Sequence, residues 1–227
     1  MKVAAVIPAA GKGIRFNKKN PKPLVLLNSR PILVHTLNAL ARNKLIDNIV
    51  LVVNKKDLGK FKEIIRGYNF RKVIKIVAGG ATRRKSVENG LKAVNKDADL
   101  VLIHDGVRPF ISSKIISLAI KAAKKFGAAV VAVPAKSTIK EIGRNLLVKK
   151  TLNRDVLWEI QTPQVFKKDI ITRAYNKLKN LKAFDDASLV EKMGKSVKIV
   201  PGSYENIKIT TPEDLLFAKA ILKDRRF

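Results

Sequence analysis

A chain of 227 residues with 46% hydrophobic content can bury a full core, and it is read as a single domain over residues 1–227 rather than as a disordered segment. It has no cysteine and two histidines, which excludes disulfides, thiolate metal sites and histidine clusters and leaves hard ions held by oxygens. Forty-seven Lys and Arg against 18 Asp and Glu give a net charge of +29, which attracts any polyanion, nucleic acid included. The basic residues are scattered on expected helix faces, as at Lys121, Lys124, Lys125, Lys177, Lys179 and Lys182, rather than gathered in an arginine-rich tract with aromatics. That distribution reads as a solvated surface without a specific nucleic-acid partner. No apolar run approaches the roughly 18 residues of a membrane span, and Val3 to Ile7 is too short for a signal-peptide core. The expectation is a cytoplasmic protein with no membrane partner.

Lys2 to Ile7 reads as a buried strand closed by Pro8, and it runs into Pro8-Ala9-Ala10-Gly11-Lys12-Gly13-Ile14-Arg15-Phe16. Gly11 and Gly13 let backbone N–H groups approach an anion, although a plain surface turn explains a lone Gly-x-Gly as well. The dinucleotide fingerprint fails because Phe16 stands at its third glycine, and the P-loop fails because Ile14 and Arg15 replace its Lys-Ser or Lys-Thr. Pro21-Lys22-Pro23 follows as an expected rigid, extended segment. Next come a helical pattern at Leu33, Leu37 and Leu40, a strand at Asn48 to Val53, and a helix at Leu58, Phe61 and Ile65. A strand at Val73 to Val77 leads into Gly79-Gly80-Ala81-Thr82-Arg83-Arg84-Lys85-Ser86, and a strand at Leu100 to His104 into Asp105-Gly106-Val107-Arg108-Pro109. A helix at Ile116, Ile120 and Ala123 and a strand at Ala128 to Val133 complete the alternation.

Repeated strand and helix imply an α/β fold, Rossmann-like, with a mostly parallel sheet, helices on both faces, and ligands beyond the carboxyl ends of the strands. The rhythm breaks over residues 135–156, where alternating stretches flank Gly143-Arg144-Asn145 as in a β-hairpin. Such a ribbon is marginal alone. It either projects as an arm onto a second copy of the chain or folds back on its own domain. Helices at Lys168 to Leu181 and Ala187 to Met193, a strand at Val197 to Val200, and a last helix opened by Thr211-Pro212-Glu213-Asp214 follow.

Four polar loops therefore fall at one edge of one sheet. PAAGKGIRF with PKP, GGATRRKS, HDGVRPF, TLNRDVLWEIQTPQVF, DDASLVE and ENIKITTPEDL, in this order, closely resemble the 2-C-methyl-D-erythritol 4-phosphate cytidylyltransferases of the non-mevalonate isoprenoid pathway. The resemblance runs from residue 3 to about residue 222. It implies a nucleotidyltransferase sheet of the glycosyltransferase-A-like type, a homodimer through the arm, and transfer of the cytidylyl group of CTP to a polyol phosphate. It implies Mg2+ as cofactor, held mainly by the CTP phosphates, with Asp105 as a further candidate ligand.

Residue by residue, Arg15 and Lys22 match the cations that stabilise the transition state, and Arg154 and Lys208 those that orient the sugar phosphate. Pro8, Ala9, Ala10, Gly11 and Gly13 match the triphosphate cradle, and Gly80, Ala81 and Ser86 the cytosine site. Asp105, Arg108, Thr138 and Thr162 match residues around the polyol phosphate, Thr138 and Arg154 being supplied by the arm to the neighbouring subunit. One departure stands out: family members commonly have threonine where this chain has Phe184, just before Asp185-Asp186-Ala187-Ser188. Two other readings fit less of the sequence. Ribitol 5-phosphate cytidylyltransferases tend to open their loop with Leu-Ala-Gly-Gly rather than Pro8-Ala9-Ala10-Gly11, and a basic nucleic-acid-binding module is motivated only by the charge.

Overall fold

A computed structural model describes residues 1–11, 21–179, 181 and 183–224. In chain order the strands begin with β1 (Val3–Pro8), two short pieces β2 (Leu26–Leu27) and β3 (Arg30–Pro31), β4 (Asn48–Val53), β5 (Val73–Ala78) and β6 (Leu100–Ile103). They continue with β7 (Ala128–Pro134), β8 (Lys140–Ile142), β9 (Val148–Thr151), β10 (Trp158–Lys167) and β11 (Lys198–Pro201). The helices are α1 (Ile32–Ala41), α2 (Leu58–Gly67), α3 (Arg83–Ala93), α4 (Ser113–Phe126), α5 (Lys168–Lys177), α6 (Ala187–Lys192) and α7 (Pro212–Asp224). Among the described residues no helix is long and apolar enough to cross a membrane.

The central sheet has seven strands in the order β11-β7-β10-β6-β1-β4-β5. β1 pairs in parallel with β4 and β6, while β10 runs antiparallel between β6 and β7. Successive side chains of a strand point to opposite faces, and the apolar residues of β1 divide accordingly. Val3, Ala5 and Ile7 pack under Leu37, Phe61 and Ile120 of α1, α2 and α4 on one face, and Ala4 and Val6 join Val87, Ile171 and Leu189 of α3, α5 and α6 on the other. Burial on both faces is why these central strands read as unbroken apolar runs. Gly90 lets α3 come close, because a Cβ there would stand 2.4 Å from Val6 Cγ1.

Besides the two-residue strands β2 and β3, two longer elements lie outside the sequence reading. The buried face of α3, Ser86, Val87, Gly90 and Leu91, recurs at helical spacing but carries only two large apolar residues, and glycine disfavours a helix interior. β10 carries Pro163 and buried Gln161, Thr162 and Gln164, a pattern that argues against a central strand. Its ladder with β7 shifts register between Ile160 and Gln164, and that irregularity accommodates a proline without an N–H. The sheet is thus mixed by one strand. The segment at Lys22 also departs from an extended run: Lys22–Leu24 forms a 3-10 turn, with the proline near its start where no N–H is needed. The helix expected to reach Leu181 ends at Lys177, and the Arg84 guanidinium donates to the carbonyls of Leu178 and Leu181 just beyond it. α7 opens as the sequence predicts, with Asp214 Oδ2 accepting from the backbone N–H of Thr210 and Thr211 at 2.7 and 2.9 Å.

β8 and β9 pair with each other in a sheet of their own. Residues 143–151 are exposed throughout, and Leu146, Leu147, Val148 and Val156 lie open. The hairpin therefore does not fold back on its own domain.

Candidate active site

Successive parallel strands leave from either side of β1, with β4 and β5 on one flank and β6 on the other, and such a reversal opens a crevice at the carboxyl edge. A cavity of about 420 Å³ lies there, walled by Pro8 to Gly11 after β1, Asn54 after β4, Gly80 to Arg83 and Ser86 after β5, and Asp105 and Val107 after β6. Lys22, Pro23 and Lys208 complete the wall.

The loop after β5 is held by its own side chains. Thr82 caps α3 by accepting from Lys85 N–H at 3.1 Å, and the Ser86 hydroxyl accepts from Gly80 N–H at 3.1 Å while donating to the Thr82 carbonyl at 2.9 Å. Gly79 brings this loop against the first one, since a Cβ there would meet Ala10 Cβ at 2.4 Å. Two short glycine-bearing loops thus form one wall, with backbone close to the cavity.

The charges of the site converge on Asp105. Its Oδ1 accepts from Arg83 Nε at 3.3 Å, and its Oδ2 lies 2.9 Å from Lys208 Nζ and 3.5 Å from Arg108 Nε. Burial opposes its ionisation, but Arg83, Lys208 and Arg108 outweigh that and hold its carboxyl well below the usual carboxylate range. Arg83, Arg108 and Lys208 against the carboxylates of Asp105 and Asp186, with Lys22 also on the wall, leave the cavity net positive and suited to phosphates. Arg108 is anchored as well, donating to the Asn206 carbonyl at 2.7 Å.

Beneath Asp105 lies a chain of neutral hydrogen bonds. Its backbone N–H donates to Thr162 Oγ1 at 3.1 Å, and that hydroxyl donates to His104 Nδ1 at 3.0 Å. His104 Nε2 is 3.1 Å from the Arg108 carbonyl, which only accepts, so Nε2 carries the proton and the ring is neutral. Burial drives the fully enclosed His104 down to about 4. Because the unfolded chain takes up this proton near pH 6.5 and the folded one only near 4, stability is full above about pH 6.5 and falls as the pH drops through that window. The loss is about 1.4 kcal/mol per unit, or about 3 kcal/mol in all. Urea unfolding at pH 7.0 and 4.5 should show this decline in the wild type and a much shallower one in His104→Gln; equal declines would contradict it.

The sequence-derived residues divide into three groups. Pro8, Ala9, Ala10, Gly11, Lys22, Gly80, Ala81, Ser86, Asp105 and Lys208 wall the cavity, while Arg108 and Thr162 contact Asp105 from behind. Thr138 and Arg154 lie on the arm, both exposed, with Arg154 donating to the Lys136 carbonyl at 2.9 Å. Arg15 and Gly13 lie outside the described residues. Arg83, His104 and Asp186 take part in the same network; they stand in the motifs GGATRRKS, HDGVRPF and DDASLVE, which give them no role of their own.

Residues 3–224 match the family model described as 2-C-methyl-D-erythritol 4-phosphate cytidylyltransferase (IspD). The chain is 48% identical over 225 residues to the protein of that name from Syntrophus aciditrophicus (strain SB), covering 98% of this chain and 96% of the relative. It is 49% identical over 225 residues to the one from Dehalococcoides mccartyi (strain ATCC BAA-2266 / KCTC 15142 / 195), covering 99% and 98%. The crystal structure of 4-diphosphocytidyl-2C-methyl-D-erythritol synthase from Anaerococcus prevotii DSM 20548 superposes with a TM-score of 0.87 at 40% identity, over 98% of this chain and 96% of that one. The crystal structure of the Francisella tularensis 2-C-methyl-D-erythritol 4-phosphate cytidylyltransferase gives a TM-score of 0.82 at 33% identity, over 97% and 100%. With the motifs in order, a cationic cavity at the switch of the sheet, and a match running nearly end to end, the chain belongs to the 2-C-methyl-D-erythritol 4-phosphate cytidylyltransferase family.

Proposed function

We propose that this chain transfers the cytidylyl group of CTP to 2-C-methyl-D-erythritol 4-phosphate, giving 4-diphosphocytidyl-2-C-methyl-D-erythritol and pyrophosphate for isoprenoid precursor synthesis. The observation that carries this reading is the cavity in which two glycine loops face a carboxylate ringed by three cations. An oxygen of the acceptor phosphate attacks the α-phosphorus of CTP, a new P–O bond forms, and the bond to the β-phosphate oxygen breaks. A phosphate with a second pKa of about 6 is already an anion at neutral pH, so no strong general base is needed. The protein's part is to place the two anions in line and stabilise the charge that builds between them.

In this reading the backbone of Ala9 to Gly13 cradles the triphosphate, and Arg15 and Lys22 meet the developing charge. Gly80, Ala81 and Ser86 receive the cytosine edge; the Ser86 hydroxyl also fixes the Gly80 turn, so loop shape and base recognition depend on one residue. Lys208 orients the acceptor phosphate, and Asp105 and Arg108 hold the polyol. Thr162, its hydroxyl engaged by His104 and Asp105, supports the Asp105 loop from below.

A magnesium ion held by the CTP phosphates would supply neutralisation of the charge on the leaving pyrophosphate. Among the described residues no three His, Asp or Glu side chains come together as a cage, and both oxygens of Asp105 face cations. With both of its oxygens turned to cations, Asp105 does not fit as a ligand of that ion. A screen of CTP, UTP, ATP and GTP with the acceptor tests the nucleotide half of the assignment. Pyrophosphate release confined to CTP is the expected result; equal release from UTP or a purine nucleotide would contradict it.

The arm supports a homodimer with shared sites. Leu146 is 88% exposed and Val156 72%, an apolar ribbon that a second copy would cover. Thr138 and Arg154 would then serve the neighbouring cavity, with Arg154 of the partner subunit beside Lys208. Mixing Arg154→Ala with Lys22→Ala subunits should restore about a quarter of wild-type activity, because half the dimers are mixed and one site of each regains both groups. Sedimentation as a monomer at assay concentration, or no recovery despite proven exchange, would rule out the shared site.

A further inference from the structure

Arg83 is the first residue of α3 and forms part of the cavity wall, yet nothing in the assignment above gives it a role. Its Nε donates to Asp105 Oδ1 at 3.3 Å, and its Nη2 donates to Asp186 Oδ2 at 2.8 Å. Asp186 is 1% exposed and well fastened. Tyr175 donates to its Oδ1 at 2.5 Å, and its backbone N–H donates to Gln164 Oε1 at 3.1 Å. The neighbouring Arg84 crosses the Tyr175 ring at 5.6 Å and grips the carbonyls of Leu178 and Leu181. Arg83 thus reaches from the floor of the site into an anchored corner formed by α5, α6 and β10.

Resting on the cytidylyl transfer argued above, we propose that Arg83 is a positioning residue for the acceptor half of the site: it ties Asp105 to the buried Asp186 and so fixes the carboxylate that orients Lys208. A carboxylate turns easily about its last torsion unless both oxygens are engaged. With Oδ1 held by Arg83, Oδ2 is presented to Lys208 and Arg108. Lys208 needs that partner. It stands between β11 and α7 on a stretch without regular structure, its side chain is 39% exposed, and an ammonium on four methylenes takes its position from whatever it binds. Arginine suits the bridge because its planar fork donates from separate nitrogens to two carboxylates, which a lysine cannot match. The alternative is that Arg83 only neutralises Asp186, a purely structural role.

A double-mutant cycle on kcat/KM for 2-C-methyl-D-erythritol 4-phosphate separates the two roles. Arg83→Gln in the wild-type background should lower kcat/KM by about a hundredfold, the order of loss that a misplaced positioning group produces, with the CTP KM nearly unchanged. In a Lys208→Ala background the same substitution should cost less than about threefold, since the group it acts through is gone. Arg83→Lys, which keeps the charge and is the safer variant should Arg83→Gln fail to fold, should lie between wild type and Arg83→Gln and show the same dependence on Lys208. Equal losses in both backgrounds, or a CTP KM that rises with the acceptor KM, would overturn the proposal while wild-type turnover leaves the function standing. A wild-type enzyme inactive on CTP and this acceptor would remove both.

Discussion

Lys22→Ala should lower turnover by about two to three decades while the CTP Michaelis constant changes little, the loss expected when one preorganised donor is removed from a developing oxyanion. The argument rests on how the residue is held. Lys22 lies between Pro21 and Pro23, in a 3-10 turn closed by Leu24 N–H to the Pro21 carbonyl at 2.8 Å and Val25 N–H to the Lys22 carbonyl at 3.1 Å. Pro23 is buried beside it and also walls the cavity. The backbone under the ammonium is therefore fixed before substrate arrives, and little reorganisation is needed as charge develops. A group placed for the ground state would bind the triphosphate equally before and during reaction, and its loss would raise KM alone. Arg15→Ala is expected to behave as Lys22→Ala does, from the role its motif implies. Steady-state kinetics decide the matter: an elevated CTP KM with intact turnover would contradict the assignment.

The parallel half of the sheet was legible in the sequence because β1, β4 and β6 are buried on both faces and therefore carry unbroken apolar runs. The missed elements have a common cause, since both are shaped by the site. α3 begins at Arg83 and Ser86, which serve the cavity, and it carries Gly90 where bulk would strike β1. β10 spends core positions on Gln161, Thr162 and Gln164, whose amides and hydroxyl hold the Asn206, Asp105 and Asp186 segments, so its pattern is polar where a core strand is expected to be apolar. The cavity walls were legible because glycine loops and short polar motifs end the strands. The bridge from Arg83 to Asp186 was not, because 103 residues separate its ends and neither stands in a motif that names the other. The arm was legible as a ribbon, and its exposure needed the fold.

The second large effect concerns the acceptor. A site that hydrogen-bonds particular hydroxyls leaves buried polar groups unpaired when a poorly fitting analogue enters, which costs several decades, whereas one methyl against an apolar wall is worth only ~1–3 kcal/mol. Erythritol 4-phosphate lacks only the branch methyl, so it should be a poorer but measurable substrate. Ribitol 5-phosphate is one hydroxylated carbon longer. The longer chain must be accommodated around groups that cannot yield easily: Asp105 is gripped by three cations, and Arg108 behind it is anchored on the Asn206 carbonyl. Phe184 is 93% exposed and is not among the residues that wall this cavity, so the expected order rests on the fixed groups around Asp105.

The most direct test of the account is kcat/KM for 2-C-methyl-D-erythritol 4-phosphate, erythritol 4-phosphate and ribitol 5-phosphate with saturating CTP and magnesium. The account predicts that order, with the branched acceptor ahead of erythritol 4-phosphate by roughly tenfold to a hundredfold and ribitol 5-phosphate lower by several decades. Ribitol 5-phosphate equal to or better than the branched acceptor would contradict the substrate assignment and leave cytidylyl transfer intact. No reaction of CTP with any of the three would contradict both.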